Sequence, residues 1–307
     1  MIKSIVTGGA GFIGSHLVDY LITLGHQVTV IDNLFQGNKL SDYGRKHSQL
    51  IIGDVKDFNL VDDACKGCDY IYHLAALLGV EVVAKNHVDT MKVESIGTNN
   101  IIEAAIKHSV KKLVYASTSG VYGKAAFDKS VDENFMLDPR TSYAIAKRYN
   151  EIFLKSHWQE NGLSSIAIRY FNVYGPRQDE RMVVPRFLDQ GIKNEPILVY
   201  GPGNQTRDFT YVTDAVRITV DLAERLPDGF EIFNICGGNE LTINEVAEII
   251  KKTLKSESTI SNMDMPDDRF EFEVERRTGN SKKLNEAIGI QEFTKFENGL
   301  KNILNSK

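Results

Sequence analysis

Tyr143 and Lys147 stand four residues apart in Ser142-Tyr-Ala-Ile-Ala-Lys147, near the start of a predicted helix over Ser142–Asn161. That spacing puts both side chains on one helix face, about 6 Å apart along the axis. A free phenol titrates near pH ~10, too high for a base at neutral pH. An ammonium one turn away favours the phenolate, and a cationic ring beside it favours it further. Tyr143 then becomes a general base for an alcohol proton, with Lys147 placed to hydrogen-bond a ribose. Ser117-Thr118-Ser119 adds hydroxyls after an apolar run, where a parallel sheet presents polar groups to a ligand. Residue chemistry alone does not choose among the three. A YxxxK spacing by itself is a common chance pairing on a wet helix, so its meaning depends on what precedes it.

What precedes it is Thr7-Gly8-Gly9-Ala10-Gly11-Phe12-Ile13-Gly14, between a predicted strand and helix. Gly8 permits the tight turn, Gly11 lets a diphosphate reach the backbone, and Gly14 lets helix and strand pack closely. The helix N-terminus offers amide N–H groups and partial positive charge to phosphate. Asp32 ends the second strand about twenty residues on, where an acid accepts both adenosine-ribose hydroxyls and selects NAD over NADP. Asn33 follows it. Asp54 in Gly53-Asp54-Val55 ends the third strand, facing an adenine amino group, with Val55 beside the ring. Leu74-Ala75-Ala76 are small residues where backbone must pass close to the cofactor. His73 before them reads as a packed histidine.

The elements that must position these groups follow a βαβ rhythm over the first 170 residues. Strands are predicted at Ile2–Thr7, Gln27–Ile31, Leu50–Gly53, Tyr70–His73, Lys112–Ala116 and Ser165–Arg169, apolar on both faces as in a covered parallel sheet. Helices are predicted at Phe12–Leu24, Leu60–Lys66, Val88–His108 and Ser142–Asn161. Beyond Phe171, proline and glycine punctuate shorter, mixed segments. The reading is an α/β, Rossmann-type doubly wound sheet over residues 1–170, with a later return near 205–235. A smaller substrate-binding α/β lobe occupies most of 171–307. The two long helices suggest a homodimer.

Composition limits the alternatives. With 307 residues, 42% hydrophobic and 25% charged, the chain can build a large core. A net charge of −5 gives no support for nucleic-acid binding. No apolar run reaches a membrane span. Three cysteines and an N-terminus that begins as a strand predict a cytoplasmic protein. Cys65 and Cys68 form a lone CxxC, which lacks the four ligands of a zinc site and reads as structural, so no metal is expected.

The chain resembles the extended short-chain dehydrogenase/reductase family, in its NAD-dependent nucleotide-sugar epimerase/dehydratase branch. The likeness rests on Thr7–Leu17, Asp32-Asn33-Leu34, Gly53-Asp54-Val55, His73–Ala76, Leu113–Gly123, Tyr143–Lys147, Arg169–Arg177 and Gln205–Asp214. It implies that Thr118 is the catalytic hydroxyl, and that Asn172, Arg207 and, on spacing, Arg269 bind the substrate diphosphate. It also implies the reaction. Dehydratases of the branch carry Asp-Glu after the threonine and uronate decarboxylases a Glu in the second place, whereas Ser119 and Gly120 stand here. What remains is 4-epimerisation, most simply of UDP-glucose and UDP-galactose; a uronate or N-acetylhexosamine epimerase, a reductase, or a non-catalytic NAD sensor are the alternatives. The last would be expected to lose Thr118, Tyr143 or Lys147, and all three are present. Two departures stand out. Glu94 replaces the usual asparagine three residues before Gly97-Thr98, near the nicotinamide ribose. Arg276 falls near the sugar-pocket gate, where bulk argues for an unacetylated hexose or a sugar carboxylate.

Overall fold

Seven parallel strands form the central sheet of the computed structural model, which describes residues 1–77, 79–124, 129–265 and 274–306. They are β1 (Lys3–Thr7), β2 (Gln27–Asp32), β3 (Ser48–Ile52), β4 (Tyr70–His73), β5 (Lys112–Thr118), β6 (Ser165–Tyr170) and β10 (Phe230–Ile235), in the spatial order β3-β2-β1-β4-β5-β6-β10. The order reverses between β1 and β4, so a crevice opens at their carboxyl ends. Helices cover both faces. Phe12–Thr23 and Val212–Arg225 pack over Val6, Val30, Val114 and Ile168; Phe58–Ala64 and Thr98–Lys107 pack over Ile5, Ile31, Ile71 and Leu113. Burial on both sides is why these strands are almost continuously apolar. The fold is the doubly wound α/β sheet expected from the sequence.

The return to this sheet comes through Val212–Arg225 and β10, whereas β9 (Thr206–Tyr211) lies in a smaller sheet. There β9 pairs with β7 (Val173–Tyr174), β11 (Asn239–Thr242) and β13 (Arg276–Arg277). A third, two-stranded sheet joins β8 (Ile197–Tyr200) and β12 (Ile260–Met263). A separate core of Tyr174, Phe187, Phe209, Val246 and Phe296 supports these strands. Thr242 and Glu245 form a capping box that starts the helix Ile243–Leu254.

One expected element is different. The helix foreseen over Val88–His108 is three segments: His87–Lys92, a π-helical turn at Val93–Gly97, and Thr98–Lys107. Tertiary contacts account for the wide turn. Asn150 Nδ2 donates to the Glu94 carbonyl at 3.0 Å, and a side chain at Gly97 would sit 2.6 Å from Val55 Cγ2. Such turns are frequent at functional sites.

Beneath the carboxyl end of β5, Arg169 grips Glu151 with two bonds of 2.8 Å, and Ser117 Oγ donates to the same carboxylate at 2.6 Å. Arg169 and Glu151 are both buried. Burial alone would raise the Glu151 pKa; bonds from Arg169, then Ser117 and Arg148, outweigh it and hold it below the ordinary carboxylate value. The stability this contributes is present above the unfolded pKa and is lost as pH falls through the depressed one. Glu151→Gln leaves the guanidinium uncompensated and is expected to cost about 3–5 kcal/mol, read as a lower denaturant midpoint with an unchanged slope.

Candidate active site

A cavity of about 560 Å³ opens at the carboxyl ends of the central strands. Gly8, Gly11, Phe12, Ile13 and Gly14 line one end of it, with Asp32, Asn33, Asp54 and Val55 beside them and Leu74, Ala75 and Ala76 opposite. Gly8 has φ +68°, and a Cβ there would lie 2.7 Å from the Ala75 amide nitrogen; only glycine fits this crossing of two loops. Gly14 packs against the turn Gly8-Gly9 rather than the strand itself. The helix Phe12–Thr23 has no side-chain cap at its N-terminus, so its first amides face the cavity as a phosphate cradle. These are the features a dinucleotide diphosphate needs.

Asp32 does a second task that the sequence did not disclose. Its two oxygens accept from the Ala10 amide at 2.9 Å and the Leu34 amide at 2.8 Å. The carboxylate thereby ties the glycine loop to the end of β2. Burial raises its pKa, and the two amides draw it partly back. Asp54 accepts from the Lys56 amide at 2.9 Å and lies 3.4 Å from Asn33 Nδ2.

Thr118, Tyr143 and Lys147 line the same cavity. The structure separates the three hydroxyls that chemistry left equal. Ser117 and Thr118 both line the cavity, whereas Ser119 is buried and does not; the Ser117 hydroxyl donates to Glu151, and Thr118 Oγ1 accepts the Gly120 amide at 3.0 Å. Lys147 is 1% exposed, with Nζ 2.9 Å from Glu94 Oε1 and 5.4 Å from the Tyr143 ring centre. Glu94 is fully buried, and its Oε2 accepts from Tyr115 OH at 2.8 Å and Asn150 Nδ2 at 3.2 Å.

Lys147 together with the cationic ring of NAD was expected to favour the Tyr143 phenolate; in the protein alone burial first and the Glu94 carboxylate second raise its pKa. Tyr143 keeps some surface on the cavity, yet it is enclosed closely enough for desolvation to dominate. Glu94 has taken up the ammonium's charge. His73 is a packed histidine with Nδ1 2.6 Å from Thr7 Oγ1 and Nε2 3.1 Å from Thr98 Oγ1; burial lowers its pKa to about 3, so it stays neutral.

Toward the smaller sheet the cavity reaches Asn172 and Arg207. Asn172 Nδ2 donates to the Asp208 carbonyl at 3.2 Å, and Arg207 Nη1 to the carbonyls of Thr206 and Val274, both at 2.7 Å. Arg269 lies outside the described residues. Arg276 is not among the described residues lining the cavity; its Nε and Nη2 bond Glu240 at 2.6 and 2.9 Å. Its bulk is therefore committed to an ion pair between β13 and β11.

A model of the NAD dependent epimerase/dehydratase family matches residues 4–236. The chain belongs to that family. It is 36% identical to a UDP-N-acetyl-alpha-D-glucosaminuronate decarboxylase of Bacillus cytotoxicus, covering 97% of this chain and 95% of the relative. It is 35% identical to a putative UDP-glucose 4-epimerase of Methanocaldococcus jannaschii, covering 98% and 97%. The crystal structure of a Thermotoga maritima UDP-glucose 4-epimerase with UDP-glucose superposes with a TM-score of 0.91 at 30% identity, covering 99% and 98%. This epimerase/dehydratase-family chain is an NAD-dependent enzyme, and the glycine cradle and Asp32 fit that cofactor.

Lys39, Gln178, Arg181 and Arg186 also line the cavity of this family member, and none was singled out from the sequence. Arg186 lies over the Tyr200 ring at 4.3 Å. Its helix, Val183–Ile192, reaches the cavity only through the packing of the second lobe, so no local spacing marks it. Asp32→Ala is expected to weaken NAD binding at least tenfold, the worth of charge-assisted hydrogen bonds at about 1.5–3 kcal/mol, and to narrow the preference over NADP. Titration with both cofactors, followed by fluorescence, measures it.

Proposed function

We propose that this chain epimerises a nucleotide sugar at C4, with UDP-glucose and UDP-galactose as the interconverted pair. The observation that carries the reading is the turn after Thr118. Ser119–Tyr122 is a 3₁₀ turn, and a Cβ at Gly120 would point within 3.6 Å of Ala144 Cβ, next to Tyr143. A carboxylate there would stand beside Thr118, whose Oγ1 is 3.3 Å from that Cβ position; glycine leaves elimination and decarboxylation without their acid. Tyr143 takes the C4 hydroxyl proton, and Thr118 hydrogen-bonds the same oxygen. NAD, when bound, accepts hydrogen with its electron pair from C4 and returns it. Asn172 and Arg207 hold the diphosphate while the 4-keto sugar turns its other face. Binding energy from the remote nucleotide keeps the reactive ketone captive.

A second reading is retained for one reason, the 36% identity to a uronate decarboxylase. It requires C4 oxidation of a UDP-uronate followed by loss of CO2. Incubation with UDP-glucose, UDP-N-acetylglucosamine and UDP-glucuronate, as purified and with NAD supplied, separates the two. Inversion at C4 without net NADH is expected; release of CO2 or stoichiometric NADH would contradict epimerisation. Tyr143→Phe is expected to lower turnover by at least ~10²-fold, the contribution of a general base, while NAD remains bound on gel filtration.

The proposal includes a homodimer. Val88, Met91, Ile96, Ile145, Tyr149 and Ile152 are exposed on the adjoining segments His87–Lys92, Val93–Gly97 and Ser142–Asn161. An apolar surface of this kind on a water-facing helix pair favours cover by another chain. Ile152→Asp is expected to shift the mass seen by light scattering from two chains to one. Among the described residues no helix is long and apolar enough to cross a membrane.

A further inference from the structure

We propose that Glu94 is a positioning residue that offsets the Lys147 charge, and so sets the pH at which Tyr143 ionises higher than an amide at this position would. The inference rests on Tyr143 being the base of the proposed reaction. Its basis is the geometry around one buried carboxylate. The π turn at Val93–Gly97 carries Glu94 inward, where it is fully buried. Tyr115 OH and Asn150 Nδ2 hold Oε2, and Oε1 meets the Lys147 ammonium at 2.9 Å. Held from three sides, the carboxylate has no freedom to swing away.

Described residues of several elements surround the site of Tyr143. Lys147 comes from its own helix, Glu94 from the π turn, Tyr115 and Thr118 from β5, and His73 from β4. His87 Nδ1 sits 3.0 Å from the neighbouring Ser142 Oγ at the exposed edge. His73 is neutral, its pKa lowered to about 3 by burial, and the Tyr115 phenol is raised well above its ordinary value by burial and by Glu94. Lys147 and Glu94 are then the two charges nearest the phenol, opposite in sign and in contact. Burial first and the Glu94 carboxylate second hold the phenol protonated in the protein alone. An amide at position 94 would leave the ammonium to favour the phenolate. With glutamate, ionisation waits for the cationic ring of NAD, so the base exists only when its hydrogen acceptor is in place.

The test is a near-ultraviolet tyrosinate titration of the purified chain, alone and saturated with NAD, for the unaltered protein, Glu94→Gln and Glu94→Asn. Each is repeated with Tyr143→Phe. The transition that Tyr143→Phe removes is expected to move to lower pH in the amide variants, by about tenfold or more in ionisation constant. If Tyr143→Phe removes no transition from the NAD-saturated chain, the base is overturned, and this inference with it. A transition lost in Tyr143→Phe but unmoved by either amide overturns only the role of Glu94. The unaltered chain supplies a measurement that needs no variant. Binding of NAD at mildly alkaline pH is expected to release protons, read by calorimetry in two buffers of different ionisation enthalpy, and zero release would overturn the inference.

Discussion

A buried ammonium is the constraint around which this site is built. Lys147 is withdrawn from water on a helix whose first turn carries Tyr143. Removing an ammonium from water costs several kcal/mol unless a partner is supplied. Glu94 is that partner, and bringing it inward requires the backbone to widen by a residue over Val93–Gly97. Asn150 then takes the Glu94 carbonyl and side chain together, and bonds Thr98 Oγ1 at 3.1 Å. Thr98 meets His73, and His73 meets Thr7 at the head of the glycine loop. An ion pair and a run of hydrogen bonds thus link the lysine to the cofactor cradle. Buried networks of this kind rigidify their surroundings, and this one ties five separate elements together.

The second buried pair lies on the same face of β5, toward β6. Arg169 and Glu151 take Ser117 out of the chemistry and fix the backbone at the carboxyl end of the strand. Thr118 is presented to the cavity as a consequence. Catalytic groups on strand ends and on one helix turn, rather than on loose loops, suit a reaction in which the sugar must move while the protein does not.

Much of this was legible from local spacing. The glycine loop, Asp32, Asp54 and the Tyr143–Lys147 pair depend on offsets of a few residues at a strand end or along a helix, and the structure gathers all of them at one cavity. The doubly wound sheet followed from two-sided apolar strands alternating with helices. What was not legible depends on distant partners. The Glu94–Lys147 pair joins residues 53 positions apart in chain number, and the spacing that suggested one uninterrupted helix over Val88–His108 carries no sign of it. The pairing of Ser117 with Glu151 and of Arg276 with Glu240 likewise arises from tertiary packing. The expectation of a lowered phenol pKa counted the lysine and the cofactor ring but not the carboxylate facing the lysine, which raises it in the protein alone.

The account turns on reversible removal of hydrogen from C4 inside a site that holds its ketone. A UDP-glucose labelled with deuterium at C4 tests this directly. Mass and NMR analysis of the product are predicted to find the label still at C4 in the inverted sugar, with no hydrogen exchanged from solvent. Loss of the label to water, or a product whose C4 configuration is unchanged while another carbon has reacted, would contradict it.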